Sequence, residues 1–313
     1  MGEMSSLRVI AKVSGGTGSW SGADAYQRRT GQRIEALFTD VLMEDQDAYR
    51  FLIAGVATLH GVTLPKGALP EIADFPAWED RGAYKAFVLD LADRTRRVLP
   101  GLHWISDGRD PWDVFEAERF LGNSSADPCS KILKRHLSDR WLKQHCDPAD
   151  TLVVVGIDHE EIERFEGAPA RGTKPATKGL RRRMAEAGWT FVAPLCEPPY
   201  SSWLGRRNRI FMAGLWLPRL NALGFSHNNC GGACCKAGQG MWKLMLQVFP
   251  ERYAYAEQRE AKIRSVLGDV SMLTDRRGGG KKPLTLETLR TRDLTRAEAS
   301  EMGGCGCFFG DAA

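Results

Sequence analysis

The stretch VIAKVSGGTGSW, residues 9–20, decides how the chain is expected to fold. Its first half is a run of strand-forming residues, and the predicted strand covers residues 8–13. Glycines and hydroxyl side chains follow from Ser14 to Ser19, and a helix is predicted over residues 19–30. A strand that enters a helix through such a loop is the usual setting of a phosphate-binding site in α/β proteins.

The Ser14–Ser19 loop can be compared with three kinds of phosphate loop. A Walker A loop requires a lysine after its glycines, and this chain has none there. A dinucleotide loop is matched in part, because Gly16 and Gly18 precede Ser21 and Asp40 stands where an acid could bind a ribose. The third form, Ser-Gly-Gly-x-x-Ser, would surround phosphate with backbone amides and hydroxyls. A glycine-rich turn without a ligand is the remaining interpretation.

Strand-like and helix-like segments alternate along the first two thirds of the chain, which predicts a mostly parallel, doubly wound α/β sheet. In such a sheet ligands bind beyond the carboxyl ends of the strands. The loop after residue 13, Asp40 and residues 156–158 all follow predicted strands, so we expect one crevice to hold them. The predicted strands cover residues 8–13, 33–40, 102–107, 150–158 and 189–195.

The alternation stops near residue 197, which predicts two domains. Residues 1–197 would form a nucleotide-binding α/β domain, and residues 198–313 a mainly helical, cysteine-rich C-terminal region. The longest apolar run, Ile210–Leu217, is too short to cross a membrane, and the N-terminus lacks the apolar segment of a secretory signal. We therefore expect a cytoplasmic protein without a membrane partner.

Positive charge is concentrated between Arg171 and Arg219, where ten lysines and arginines face two acids. A second basic segment, residues 275–283, is rich in glycine and is predicted to be a loop. Either segment is a solvated surface or receives an anionic partner such as a nucleic acid.

Five of the eight cysteines are grouped late in the chain. Closely spaced cysteines in a cytosolic protein indicate metal binding or redox chemistry rather than disulfides. Cys230, Cys234, Cys305 and Cys307 are the predicted ligands of a [4Fe–4S] cluster, with Zn²⁺ as the alternative that spacing does not exclude. The remaining thiol, Cys235, is the candidate nucleophile or sulfur carrier, with Cys234 as its alternative.

The order of five motifs resembles that of the PP-loop ATP-pyrophosphatase superfamily, whose fold is the adenine nucleotide alpha-hydrolase-like one. The chain looks most similar to proteins related to phosphoadenosine phosphosulfate (PAPS) reductase, of the kind found in phages, bacteria and type IV CRISPR loci. The resemblance runs from about residue 8 to Cys307. The motifs are SGGTGSW, ALFTDVLMEDQDAYRF, DPCSKILKR, VVVGID and FSHNNCGGACCKAG.

This resemblance implies an enzyme that binds ATP and Mg²⁺ and cleaves the nucleotide at its α-phosphate, releasing pyrophosphate. Adenylation of an acceptor, sulfur transfer or modification of a nucleic acid would follow, in metabolism or in phage and CRISPR defence. Ser19, Lys131, Lys134 and Cys235 would be catalytic. The residues that would bind the nucleotide are Ser14, Gly15, Gly16, Thr17, Gly18, Ser19, Asp40, Val41, Gly156, Ile157 and Asp158.

Two departures from the family pattern qualify these expectations. Gly18 stands where the family has an aspartate, so Asp40 or Asp158 would have to supply the contact to Mg²⁺. The chain also lacks the Glu-Cys-Gly-(Ile/Leu)-His motif that carries the nucleophile of the true reductases. A nucleotide-binding accessory protein with little turnover is therefore one alternative, and a thiol-dependent sulfonucleotide reductase is the other. Cys129 is a partial match to the cluster-binding cysteine pair of the adenylyl sulfate reductases.

Overall fold

The computed structural model describes residues 7–122, 128–172 and 175–303. Its centre is a five-stranded sheet in the order β3-β2-β1-β4-β5, and every neighbouring pair is parallel. The prediction of an α/β protein with a parallel sheet is confirmed. The strands are β1 (Arg8–Val13), β2 (Glu35–Asp40), β3 (Leu102–Ser106), β4 (Thr151–Val155) and β5 (Thr190–Val192).

Helices connect these strands, and several begin and end at the residues that the sequence indicates. The α2 helix starts after Asp45, whose side chain accepts a hydrogen bond from the Asp47 amide, and it ends at the left-handed Gly61. The helices of this part are α1 (Thr17–Thr30), α2 (Gln46–His60), α3 (Arg81–Val98), α4 (Pro111–Ala117), α5 (Pro128–Ser130), which continues through a π-helical segment (Lys131–His136) into α6 (Leu137–His145), α7 (Ile162–Glu166) and α8 (Leu180–Glu186).

The remainder of the described chain is mainly helical. The α9 helix stops before Pro218 is reached, because Gly214 adopts a left-handed conformation with φ of 74°. The segment 275–283, predicted to be a loop, is mostly the turn of an antiparallel hairpin. The elements are α9 (Trp203–Met212), α10 (Arg219–Ala222), α11 (Gln239–Val248), α12 (Pro250–Leu267), β6 (Leu273–Asp275), β7 (Lys282–Leu284), α13 (Leu286–Thr291) and α14 (Arg296–Ala299).

Both faces of the parallel sheet are covered. Successive side chains of a strand point to opposite faces, and in β1 Val9 and Ala11 belong to one buried apolar cluster whereas Ile10 belongs to another. The first cluster is covered by α1 to α4, and the second includes Trp141 of α6 and Phe165 of α7. This double cover explains why the strands read as nearly continuous apolar runs.

The larger apolar cluster also contains side chains from beyond residue 197. Trp242, Met245 and Tyr253 are fully buried in the same cluster as Phe38 and Tyr49. The boundary predicted at residue 197 therefore does not separate two hydrophobic cores. In the part of the chain that the structure describes, no helix combines the length and the apolar character needed to cross a membrane.

The strand order places a topological switch point between β1 and β4. The chain moves from β1 to β2 and β3 on one side, and β4 and β5 lie on the other. Connections that leave in opposite directions open a crevice beyond the carboxyl ends of the two central strands, and ligands of open α/β sheets bind there. The loops that follow Val13 and Val155 meet at this crevice.

Candidate functional site

A cleft of about 420 Å³ lies at the switch point. It brings together the predicted residues Gly156 and Ile157 and all of the predicted phosphate loop, Ser14–Ser19, except Gly15, which does not line the cleft. It also contains residues that the sequence did not assign to this crevice, which are Lys12, Val155, Glu161, Arg164, Asn221, Ser226, His227, Asn228, Asn229 and Gly303. Several of these come from the C-terminal region, so that region completes the cleft.

The phosphate loop is held in shape by Ser19. Its Oγ accepts a hydrogen bond from the Ser14 amide at 3.0 Å and donates one to the Gly16 carbonyl at 3.0 Å. The Ser14 hydroxyl lies 3.1 Å from the same Oγ. Gly15 has φ of 69°, and a Cβ there would approach the Ala48 carbonyl oxygen to 2.9 Å. The loop conformation therefore requires glycine at position 15.

The N-terminus of α1 adjoins this loop and carries the positive end of the helix dipole. Its N-cap residue is Gly16, and within the described chain no side chain caps the first turn and no acid lies in it. The amide groups of a first turn have no acceptor inside the helix. An anionic ligand in the cleft would find these donors available.

Gly156 allows the end of β4 to lie directly against the phosphate loop. A Cβ at this position would stand 2.4 Å from the Ser19 Cα and 2.5 Å from the Gly18 carbonyl oxygen. Gly22, one turn into α1, makes the same approach from the other side, since its Cβ would lie 2.9 Å from the Gly156 Cα. Because neither Gly22 nor Gly156 has a side chain, α1 and the end of β4 can lie in direct backbone contact beside the cleft.

The residues predicted at the end of β2 are buried. Val41 is 2% exposed and Asp40 is 0% exposed. Oδ1 of Asp40 accepts from the Leu42 amide (2.7 Å) and the Tyr49 hydroxyl (2.8 Å), and Oδ2 accepts from the Trp104 indole (2.9 Å). The carboxylate therefore joins three parts of the core. Its predicted contact with ribose or Mg²⁺ stays a prediction, and the burial of both oxygens does not favour it.

Burial raises the pKa of Asp40 from 3.8 to about 6, against the opposing effect of its three hydrogen bonds. The folded protein therefore binds this proton more tightly than the unfolded chain, and the resulting stabilisation is lost as the pH rises through 6. We expect the unfolding free energy of the wild type minus that of Asp40→Asn to fall by about 2.4 kcal/mol between pH 4 and pH 7. Urea denaturation at several pH values measures it, and a constant difference would contradict the assignment.

The loop that carries the late cysteines covers the carboxyl end of β2. Cys230, Gly231 and Gly232 all have positive φ, and a Cβ on Gly231 would lie 2.6 Å from the Trp78 indole nitrogen. The Cys230 amide donates to Oε2 of Glu44 at 2.5 Å. The glycines thus allow the cysteine loop to pack closely on the segment that follows β2.

Glu44 also binds one of the two predicted catalytic lysines. The Lys134 ammonium is buried and lies 3.3 Å from Oε1 of Glu44. Burial alone would lower the pKa of Lys134, but the charges of Glu44, Cys230 and Cys234 raise it above its ordinary value. Lys131 is exposed. Neither lysine lines the cleft, and their predicted contact with phosphate stays a prediction.

The thiols of four of the six described cysteines form a row. Cys234 interacts with Cys230 and with Cys235, and Cys235 interacts in turn with Cys129 of α5. Hydrogen bonds from its two thiol neighbours lower the pKa of Cys234, whereas those with Cys129 and Cys234 raise the pKa of Cys235. Both thiols are buried and neither lines the cleft, so the nucleophilic role predicted for Cys235, with Cys234 as its alternative, stays a prediction.

The predicted metal ligands are only partly placed by the structure. Cys230 and Cys234 are neighbours, whereas Cys305 and Cys307 lie outside the described residues. Among the residues that are described, no three His, Cys, Asp or Glu side chains are grouped so that they could hold a metal ion. Cys129 adds a fourth thiol to the row formed by Cys230, Cys234 and Cys235. Its partial match to a cluster-binding cysteine was the feature of the sequence that pointed to it.

Asp158, predicted to close the nucleotide crevice, is engaged elsewhere. Its Oδ1 lies 2.8 Å from Nδ1 of His159, and its Oδ2 is paired with Arg206 of α9. It does not line the cleft. The ion pair ties α9 to the end of β4.

Most of the basic block between Arg171 and Arg219 is neutralised by acids. At least seven of the nine cations that the structure describes in this block form ion pairs, which are Arg171 with Glu163, Lys178 and Arg182 with Glu186, Arg181 with Glu166, Arg206 with Asp158, Arg209 with Asp24, and Arg219 with Asp45. Arg207 differs, because its guanidinium lies over the rings of Trp203 (5.4 Å) and Phe211 (5.5 Å). Both rings are largely exposed, at 61% and 45%.

Three polar atoms on two side chains of the cleft have no hydrogen-bond partner in the described chain. Both ring nitrogens of His227 are buried without a hydrogen bond, and so is Oδ1 of Asn228, a residue that is 8% exposed. Nδ2 of Asn228 donates to Oδ1 of Asn221 at 2.8 Å. The only signal in the sequence was the polar run HNN immediately before Cys230.

Comparison with known proteins gives no family assignment, since no protein-family model matches the chain and no curated protein matches it significantly.

Proposed function

We propose that the protein binds an adenine nucleotide in the switch-point cleft and cleaves it at the α-phosphate, as PP-loop ATP pyrophosphatases of the PAPS reductase-like group do. An acceptor oxygen would attack the α-phosphorus, the bond to the β-phosphate would break, and pyrophosphate would leave. The observation that carries this proposal is the position of the Ser14–Ser19 loop. It joins β1 to an uncapped helix N-terminus at the place where open α/β sheets bind ligands.

Each group around the loop has a separate role in this proposal. The amides of the first turn of α1 donate to phosphate oxygens, and Ser19 keeps the loop in shape. The Ser14 hydroxyl, which lies 3.1 Å from the Ser19 Oγ, would turn away from Ser19 to donate to a phosphate oxygen as well. Lys12 and Arg164 line the same cleft and supply positive charge. Burial lowers the pKa of Lys12, and its nearest acid, Asp139, is 3.7 Å away. A phosphate would therefore be a strong partner for Lys12.

The cleft has few carboxylates that could hold a catalytic metal ion. Among its described lining residues only Glu161 carries one, and Glu161 is paired with Arg164. Mg²⁺ prefers carboxylate oxygens together with those of the substrate phosphates. The second candidate function is therefore a nucleotide-binding protein with little turnover, and Gly18 in place of the family aspartate favours it.

The double variant Ser14→Ala/Ser19→Ala tests the proposed site. We expect its rate of pyrophosphate release from ATP to fall about 100-fold or more, because a phosphate donor is lost and the loop is no longer held. Calorimetric titration with ATP should show weaker binding. Ser265→Ala, which alters an exposed serine of α12, is the control. Unchanged binding and turnover in the double variant would exclude this site, and binding of ATP without pyrophosphate in the wild type would select the second candidate.

The thiols supply the sulfur donors that a [4Fe–4S] cluster or Zn²⁺ requires. Cys230 and Cys234 are the described residues that would hold such a group, and they would need the predicted Cys305 and Cys307, because the described residues alone do not group three donors around one point. A cluster would supply an electron-transfer centre, whereas Zn²⁺ would act as a structural cross-link.

For the acceptor we propose a single-stranded nucleic acid that stacks on the exposed face of α9. Trp203 and Phe211 present open rings on either side of Arg207, and such alternation suits bases and phosphates. Tyr200, also exposed, stacks on His159 with ring centroids 4.9 Å apart. His159 and the cleft residue Glu161 belong to one 3₁₀ turn, so this face begins at the rim of the cleft.

We expect Trp203→Ala/Phe211→Ala to bind a labelled single-stranded RNA oligonucleotide at least tenfold more weakly than the wild type, because each stacked base contributes about 1–3 kcal/mol. Fluorescence anisotropy measures the affinity. Leu89→Ala removes an apolar side chain of comparable exposure (43%) from α3 and should have no effect. Equal binding by all three proteins would rule out this face.

A further inference from the structure

The cleft wall formed by Asn221, His227 and Asn228 is unlike the rest of the cleft. The phosphate loop offers amides and hydroxyls, and Lys12 and Arg164 offer positive charge, all of which suit phosphates. This wall instead offers two neutral amides and an imidazole. It therefore suits an uncharged part of a ligand that carries both hydrogen-bond donors and acceptors.

Asn228 presents an acceptor to the ligand. Its amide nitrogen is committed to Oδ1 of Asn221 at 2.8 Å, and its Oδ1 is buried with no partner among the described residues. A buried carbonyl oxygen without a hydrogen bond costs about 1–3 kcal/mol, and native structures rarely leave one unless a ligand or water satisfies it. The ligand group that satisfies it must be an N–H or O–H donor.

His227 supplies the complementary group. Its two ring nitrogens are buried in the same cleft without a hydrogen bond in the described chain, and a neutral imidazole has one donor and one acceptor. A ligand edge with an N–H donor beside a ring-nitrogen acceptor would satisfy Asn228 and His227 together. The exocyclic amine and the neighbouring ring nitrogen of adenine form such an edge.

We propose that Asn228 and His227 read the base of the bound nucleotide and select a base with an exocyclic amine over one with a carbonyl at the same position. This inference rests on the proposed function, because it assumes that the phosphates occupy the Ser14–Ser19 loop. A carbonyl in place of the amine would face Oδ1 of Asn228 with a second acceptor. The imidazole can exchange its donor and acceptor roles, so Asn228 is the residue that discriminates.

The experiment compares the dissociation constants of ATP and inosine triphosphate, which differ at this edge of the base. Titration calorimetry with the full-length protein and Mg²⁺ measures both. For the wild type we expect ATP to bind about tenfold or more tightly, a difference of about 1.4 kcal/mol or more. Asn228→Ala should bind both nucleotides with similar affinity. Asn228→Asp, which keeps an acceptor at the same place, should retain the preference for ATP.

Asn208→Ala alters an exposed asparagine of α9 that does not line the cleft, and it should behave as the wild type does. Equal affinity of the wild type for the two nucleotides would overturn the inference while leaving the nucleotide site in place, and so would an Asn228→Ala variant that still prefers ATP. Failure of the wild type to bind either nucleotide would instead refute the proposed function. Each variant is judged by the ratio of its affinities for the two nucleotides. A general loss of stability would weaken the binding of both equally, so it would not change this ratio.

Discussion

Gly156→Val is expected to weaken ATP binding about 100-fold or more. The first atom of the new side chain would already lie 2.4 Å from the Ser19 Cα and 2.5 Å from the Gly18 carbonyl oxygen. Both are backbone atoms that no side-chain rotation can move, so β4 and the phosphate loop must separate. A displacement of about 1 Å in a binding site can cost about a hundredfold. Overpacking should also lower the unfolding free energy by about 1–3 kcal/mol or more.

Calorimetric titration with ATP and urea denaturation measure the two effects separately. Gly22→Ala approaches the same contact from α1, where its Cβ would lie 2.9 Å from the Gly156 Cα, and it should weaken binding less. Gly280→Ala is the matched control, because nothing lies within 4 Å of the added Cβ and the backbone there is not left-handed. A folded Gly156→Val protein with wild-type affinity for ATP would show that nucleotide does not bind against this loop.

Glu44→Leu is expected to lower the unfolding free energy by about 3–5 kcal/mol, because it leaves the buried Lys134 ammonium without its counter-charge. The Cys230 amide loses its acceptor as well. Replacing both partners, in Glu44→Leu/Lys134→Met, removes the isolated charge and should recover most of the loss. A residual cost of about 1–3 kcal/mol should remain for the unsatisfied Cys230 amide.

Urea denaturation of the two single variants and the double variant gives the coupling between the partners. Asp90→Ala breaks the exposed pair with Arg94 in α3 and should cost less than about 1 kcal/mol. A cost for Glu44→Leu as small as that of Asp90→Ala would contradict a supporting role for the buried pair. The cycle also tests the predicted catalytic role of Lys134. A folded Lys134→Met protein that no longer releases pyrophosphate would support that role.

The order of the elements and the position of the glycine-rich Ser14–Ser19 loop could be predicted from local patterns. The apolar runs of β1, β2 and β4 are buried on both faces, and helix caps such as Asp45 and Gly61 act within a few residues. These signals are confined to short windows of sequence, and the structure confirms them. The helix that follows the phosphate loop begins at Thr17, two residues before its predicted start, because Gly16 serves as its N-cap.

The partners of the charged groups depend on distant parts of the chain, and local patterns do not contain them. Lys134 is separated from Glu44 by 90 residues, and Asp158 is paired with an arginine of α9. Asp40 stands at a strand end, as a ribose ligand would, yet it is enclosed by Tyr49 and Trp104. The contribution of the C-terminal region to the cleft also depends on distant contacts. Asn228 lies in the cleft because the adjoining cysteine loop packs on the segment that follows β2.

The shared hydrophobic core has a consequence for how the protein is made. Synthesis proceeds from the N-terminus, so the phosphate loop leaves the ribosome long before Trp242 and Tyr253, which complete the core that covers one face of its sheet. The wall that carries Asn221 and Asn228 also arrives late. The cleft at the switch point is therefore completed only near the end of translation, and until then one apolar face of the sheet lacks its full cover.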